Sequence, residues 1–370
     1  MIGRRLVNGV EASAISVDDR GLQYGDGLFE TMAAVNGRVR NFARHMERLA
    51  DGCRRLGMPM PAVELFAVEC ERALTGLGAG SVKIMLTRGP GPRSYRPPAE
   101  PSLTRVVVSS GPKPRNDPDT GIVVRLCETP LGLNPRLAGV KHLNRLEQVL
   151  ASAEWSDPGV AEGLMSSVDG RLVCATAANV FLVRGGRLLT PDIRDCGVAG
   201  VMRGLVLEAA RESSLPADVV DLRAADLEGA DEVFLTNAIT GVRPVGEVAG
   251  IRRYAAPGEV TRALLDRTTR AAQLSSAGRP CGDARHRLDR GAAAQRSRGR
   301  HHRASLRNAA GTQSVPRRAQ ASQPAGAGHG LRRVGRSLDC RGPDVVGGRP
   351  ARLRDGIEPL SGPRRLPDDA

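Results

Sequence analysis

A break in residue chemistry near residue 271 limits how much of this 370-residue chain can build a packed core. Residues 271–370 contain 20 Arg, 8 Asp or Glu, no Lys and no Phe, Tyr or Trp. Without large apolar side chains a segment has little to offset the entropy of ordering its backbone. This stretch is read as disordered, or as GC-rich coding sequence translated out of frame, and the core is expected to end near residue 272. The same break relocates the charge. Of the 54 basic and 40 acidic side chains, 34 and 32 remain once the last hundred residues are set aside, so the net charge of +14 belongs mostly to the tail. A strong basic balance normally points to nucleic acid or an anionic membrane, but here it says little about the folded part. The tail also lacks the interleaved aromatics of RNA-binding segments, which argues against nucleic acid as a partner.

Ahead of the break, turn residues and apolar periodicity divide the chain. Asn36-Gly37 after an apolar run predicts a tight hairpin. Phe42, Met46, Leu49 and Cys53 recur at helical spacing, a second helix fits residues 61–75, and GSVKIMLTRG reads as a strand. A Pro, Gly and Asp cluster at residues 113–121 is long enough to link two domains. The expected organisation is a small α+β domain (1–112), the linker (113–121), a larger α/β domain (122–272) and the tail (273–370). Within the larger part, strands are expected at 122–127, 180–183 and 232–235, a hairpin at Asp169-Gly170, and helices at 143–153, 202–211 and 259–272. Seven cysteines without a CxxC pair or a histidine in metal-ligand register predict reduced thiols and no metal site. No apolar run approaches a membrane span, so a soluble cytoplasmic protein is expected.

Only three lysines occur, Lys83, Lys113 and Lys141. A lysine amine is the side chain that condenses with an aldehyde cofactor, so any such chemistry must choose among them. Lys113 lies between prolines and Lys83 within an apolar strand, where an edge or snorkelling position is the plain alternative. Lys141 opens KHLNRLEQVLA, at a loop end before a helix. His45 and His142 are read as structural. GVAGVMR (197–203) is a glycine turn running into a helix start, which provides unpaired N–H groups for an anion. GPGPRSY (89–95) is a glycine and proline loop carrying Arg93 and Tyr95; an arginine there suits a carboxylate, and a plain surface loop is the alternative.

The segment GLNPRLAGVKHLNRLEQVL (132–150) resembles the cofactor-lysine segment of the aminodeoxychorismate lyases. YGDGLFET (24–31), HMERL (45–49), GVAGVMR and TNAITGVRPV (236–245) resemble the wider class IV aminotransferase family, the fold type IV pyridoxal 5'-phosphate enzymes. The resemblance implies that Lys141 carries the cofactor and is the catalytic base. It implies that Gly200, Val201, Met202, Arg48, Asn237 and Ala238 hold the phosphate, with Asn179 also in the cofactor site. Phe29, Arg93 and Tyr95 would border the substrate, with a hydroxyl such as Thr31, or a water, as proton donor. The implied activity converts 4-amino-4-deoxychorismate to p-aminobenzoate and pyruvate in folate biosynthesis, by a homodimer. Alternatives are a branched-chain or D-amino-acid aminotransferase, or a degenerate relative with a nucleic-acid-binding tail. One position departs from the pattern. Where the family places a glutamate five residues before the asparagine of Asn-x-Phe, CATAANVF (174–181) has Cys174. A thiol of ordinary pKa is a poor partner for the cofactor's ring nitrogen unless it is made a thiolate.

Overall fold

Asn36 and Gly37 both take positive φ, 52° and 70°, and turn the chain sharply between β3 (Gly27–Val35) and β4 (Arg38–Val39), as an Asn-Gly pair permits. The computed structural model describes residues 3–112 and 120–276, with side chains to residue 269. Most of the linker expected at 113–121 and nearly all of the tail from 273 therefore lie outside the described residues. The first half also contains β1 (Arg5–Val7), β2 (Val10–Glu11), α1 (Arg20–Tyr24), α2 (Phe42–Leu56), α3 (Val63–Leu74), β5 (Ala79–Thr87) and β6 (Thr104–Ser110). Its six strands form an antiparallel sheet in the order β2-β1-β6-β5-β3-β4. Alternate residues of β3 and β5 (Leu28, Met32, Val82, Ile84) meet Met46, Leu49 and Cys53 of α2, with Phe66 and Cys70 of α3, in one core. The helical spacing of 46, 49 and 53 thus faces the sheet.

The second half runs β7 (Ile122–Leu126), α4 (Leu146–Ser152), β8 (Val160–Ser166), β9 (Leu172–Ala175), β10 (Asn179–Arg184), β11 (Arg187–Pro191), α5 (Val201–Glu212), β12 (Ala217–Val220), β13 (Glu232–Asn237), β14 (Gly241–Val248), β15 (Arg252–Arg253) and α6 (Glu259–Ser276). These form a nine-stranded mixed sheet ordered β12-β11-β10-β13-β14-β7-β8-β9, with β15 on β14. Both faces are covered, so β10 is apolar at successive positions rather than alternate ones. Val180 and Leu182 join one core, while Phe181 and Val183 join another with Val206 and Ala210 of α5 and Leu264 of α6. Phe181 stacks on Phe234 of the neighbouring β13 at a centroid distance of 5.0 Å. This is the fold type IV architecture.

Two expected boundaries move. The helix anticipated from residue 143 begins at Leu146 because residues 141–143 are held extended against β3, as described below. The last helix runs on to Ser276. None of the described helices is long and apolar enough to cross a membrane. The cysteines among the described residues (Cys53, Cys70, Cys127, Cys174, Cys196) are free thiols, and no described cluster of His, Cys, Asp or Glu has the makings of a metal site.

Candidate active site

Lys141 sits where the two sheets meet. Phe29 N donates to the Lys141 carbonyl at 3.0 Å and Leu143 N to the Gly27 carbonyl at 3.0 Å, so the lysine's segment adds a short extended edge to β3. On its other side, Gly139 N donates to Gly197 O and Ala199 N to Gly139 O, each at 3.0 Å. The lysine is thereby fixed between β3 and the loop entering α5. Its Nζ lies 4.3 Å from the centre of the Phe29 ring. An aromatic face favours the ammonium form, as does the nearby Glu30 carboxylate. Burial disfavours it more, the Arg48 cation acts in the same direction, and together they bring the lysine from its ordinary 10.5 down to about 8.

The walls around this amine enclose a cavity of about 340 Å³. One end is an anion cup. Gly200 is the residue before α5 and no side chain caps the helix, nor does any acid occupy its first turn. The opening N–H groups of a helix have no partner within it, and the helix dipole adds partial positive charge there. A Cβ on Gly200 would stand 2.0 Å from Asn179 Oδ1, so only glycine lets Asn179 approach; that amide in turn donates to Val198 O at 2.9 Å. Val201 and Met202 line the cup with Asn237 and Ala238 opposite. The Asn237 side chain is engaged in its own turn, accepting from Ile239 N at 2.9 Å and Thr240 N at 2.8 Å.

Arg48 adds a guanidinium to the cavity wall, paired with a buried acid. Glu30 holds it by two bonds, Nε to Oε1 at 2.8 Å and Nη2 to Oε2 at 2.5 Å, and Nη1 donates to Ala199 O at 2.8 Å. His45 Nδ1 lies 2.6 Å from the same carboxylate, and both Glu30 and His45 are 1% exposed. Burial alone would push the Glu30 carboxyl up, but the hydrogen bonds from Arg48 and His45 outweigh it and hold the carboxyl below its ordinary range.

At Cys174 the wall is neutral. The residue is buried on β9 in a cluster with Leu131, Ala151, Met165 and Cys196, and burial pushes its thiol up to about 12. These surroundings disfavour the thiolate. Among the described residues no Asp or Glu lines the cavity. Glu162 stands behind the wall, buried, where Thr176 Oγ1 and Ala177 N donate to it.

The cavity brings together Lys141, Thr31, Phe29, Arg48, Cys174, Asn179, Gly200, Val201, Met202, Asn237 and Ala238. Arg93 and Tyr95 are not among the residues that line it within one chain. Arg20 donates to the carbonyls of Ser94 and Tyr95 at 2.5 and 3.1 Å, and Tyr95 is 86% exposed, edge-on to Tyr24 at 5.4 Å. Asp26 accepts from both Arg20 and Arg88 at 2.8 Å, so YGDG serves in part to fasten this loop to the surface. Arg145, Gln148 and Thr176 line the cavity without having been anticipated, as does Ile239. Glu30 was also missed, although an acid between Leu28 and Met32 in a strand, facing His45 and Arg48 at helical spacing, is a readable signal.

Residues 27–248 match the amino-transferase class IV family, and the chain belongs to that family. The family's cofactor is pyridoxal 5'-phosphate. More particularly, the chain is 34% identical to an aminodeoxychorismate lyase of Vibrio harveyi over 246 residues, 66% of this chain and 90% of that protein. The crystal structure of 4-amino-4-deoxychorismate lyase from Pseudomonas aeruginosa superposes with a TM-score of 0.67 at 46% identity, covering 71% of this chain and 97% of the other. A Methanocaldococcus jannaschii protein provisionally named a branched-chain-amino-acid aminotransferase is 31% identical over 260 residues, 68% of this chain and 89% of its own length. The described residues suit the family's cofactor at the lysine and at the glycine-lined anion cup; at Cys174 they offer no anion to its ring nitrogen.

Proposed function

We propose that this protein is a pyridoxal-phosphate-dependent lyase that converts 4-amino-4-deoxychorismate to p-aminobenzoate and pyruvate, acting in the cytoplasm as a homodimer in folate biosynthesis. The observation that carries the reading is the neutral wall at Cys174, a thiol buried in an apolar cluster with no Asp or Glu among the described lining residues. Pyridoxal phosphate bound in the cavity supplies an electron sink for the carbon bearing the substrate's amine. Without a carboxylate beside it that sink is weaker. Loss of the enolpyruvyl group makes the substrate ring aromatic, which lightens the demand, whereas amino transfer has no such help.

The chain's own groups then divide the work. Lys141 is the residue whose Nζ would hold the cofactor by its aldehyde carbon and would be freed when the substrate's amine takes that place. Its lowered basicity leaves Nζ able to accept the proton from the amine-bearing carbon. The neighbouring carbon–oxygen bond breaks, and the departing enolpyruvate takes up a proton to become pyruvate. Thr31, on the cavity wall with Phe29, is the hydroxyl assigned here to pass that proton on, directly or through a water. Arg48, the amides of Val201 and Met202, and the turn at Asn237 and Ala238 bind the phosphate dianion, and Glu30 keeps Arg48 from turning away. Asn179 braces the loop that carries Val198.

Purified holoprotein is expected to be yellow and to release p-aminobenzoate and pyruvate in equal amounts, and Lys141→Ala to do neither. A Lys141→Ala protein that still forms p-aminobenzoate overturns the reading. The likeness to the M. jannaschii protein supports a second reading, an aminotransferase. Keto-acid-dependent amino transfer faster than p-aminobenzoate release selects it.

A further inference from the structure

With Arg48 committed to the phosphate, Arg145 is the other arginine on the cavity wall. Its guanidinium is fastened to the backbone on either side of the lysine, Nε donating to His142 O at 2.9 Å and Nη2 to Val140 O at 3.1 Å. The cation is thus tied to the stretch of backbone that carries Lys141. Arg145 forms no ion pair among the described residues, and Nη1 has no hydrogen-bond partner there. Burial works against its charge more than the nearby Glu147 favours it, and the Arg48 cation adds to the burden, so a half-buried cation is held in the cavity with no direct ion-pair partner among the described residues. A buried charge of that kind is costly unless something pairs with it. One helical turn along, Gln148 lines the same cavity with its side-chain oxygen buried and unpartnered. Arg145 and Gln148 also form the near wall of an adjoining cavity of about 360 Å³, so there is room beyond them for the far end of a ligand.

We propose that Arg145 binds a carboxylate of the substrate and so selects amines that carry an acid at a set distance from the reacting nitrogen. The guanidinium fork suits this role because two of its N–H groups are already fixed and the free edge is preorganised for an incoming oxygen. The inference rests on the cavity being where an amine substrate reacts, and it deepens that reading by naming what the rest of the substrate must carry.

The test compares p-aminobenzoate with aniline, which differ by the carboxylate, as ligands of the holoprotein followed by calorimetry. Loss of a charge-assisted hydrogen bond is expected to weaken p-aminobenzoate by roughly 10- to 100-fold in Arg145→Gln and to leave aniline unchanged; Arg145→Lys should recover part of the difference. Equal weakening of both ligands, or of neither, overturns the proposal. So does a shift of the cofactor's visible absorption in Arg145→Gln with p-aminobenzoate affinity intact, which would place the arginine against the cofactor ring. If Arg145→Gln fails to fold, Arg145→Lys alone decides, because a point charge without the fork must still favour p-aminobenzoate less than wild type does. The measurement needs no turnover, so a protein that binds with this selectivity yet releases no p-aminobenzoate from aminodeoxychorismate retains the inference and loses the lyase reading.

Discussion

The basicity of Lys141 can be measured against two internal references, since the chain has only three lysines. In cofactor-free protein, a pKa brought down to about 8 from 10.5 leaves roughly a quarter of the amine neutral near pH 7.5, against about one part in a thousand for an unperturbed lysine. Lys141 should therefore react with a small aldehyde and a mild reductant roughly 200-fold faster than an unperturbed amine of equal access at that pH. The sign follows from the causes. Burial and the Arg48 cation both disfavour the ammonium form, so the neutral fraction rises as pH climbs through about 8 and then levels off. Peptide mass spectrometry of briefly labelled protein over a pH series reports each lysine separately. Arg48→Met should raise the Lys141 midpoint only part of the way back, because burial is the larger cause and persists. A Lys141 labelling rate that keeps climbing tenfold per pH unit beyond pH 9, or a midpoint unmoved in Arg48→Met, would refute the electrostatic account.

Other consequences are simpler to state. Gly200→Ala must push Asn179 off Val198, at a cost of about 1–2 kcal/mol; cofactor affinity, read by fluorescence titration, should fall about tenfold. Glu30→Gln leaves Arg48 and His45 facing a neutral amide in a buried site; denaturant melts of the apoprotein should show a loss of about 3 kcal/mol, and the cofactor should dissociate faster. Phe181→Ala opens a cavity between β10 and β13 and should cost about 3–5 kcal/mol in the same melts. Cys174→Glu puts an acid within an apolar cluster on the cavity wall; amino transfer from an amino acid, followed by the change in cofactor absorbance, should gain relative to lyase turnover, and an unchanged ratio would count against the part assigned to the neutral wall.

Local chemistry made some of this structure readable in advance. The helical spacing of Met46, Leu49 and Cys53 located the inner face of α2, and Asn36-Gly37 located a turn, because both depend on neighbours in the chain. Strands β11, β12 and β14 went unanticipated. β14 lies between β13 and the sequence-distant β7, to which it runs parallel, β12 is an edge strand parallel to β11, and β11 has Gly185-Gly186 before it as its only local sign. The motifs placed Lys141, Arg48 and Gly200 in one cavity, yet they gave no hint that residues 141–143 would be extended, since that conformation is imposed by Gly27 and Phe29 from the other sheet. Arg93 read as a substrate residue from its loop, its charge and the resemblance; the hold of Arg20 on the loop's carbonyls depends on tertiary position and was not readable. Arg145 was passed over for the same reason, being one more charge at a helix start until its backbone anchors are seen.

The bond from Phe29 N to the Lys141 carbonyl also makes the centre a reporter on assembly. Neither sheet by itself contains the amine, the aromatic face and the anion cup together, so refolding protein can acquire secondary structure in both halves and remain colourless. The yellow of captured cofactor should then lag the far-ultraviolet circular dichroism and mark the moment at which the two sheets dock, giving a visible clock for a single long-range step in folding.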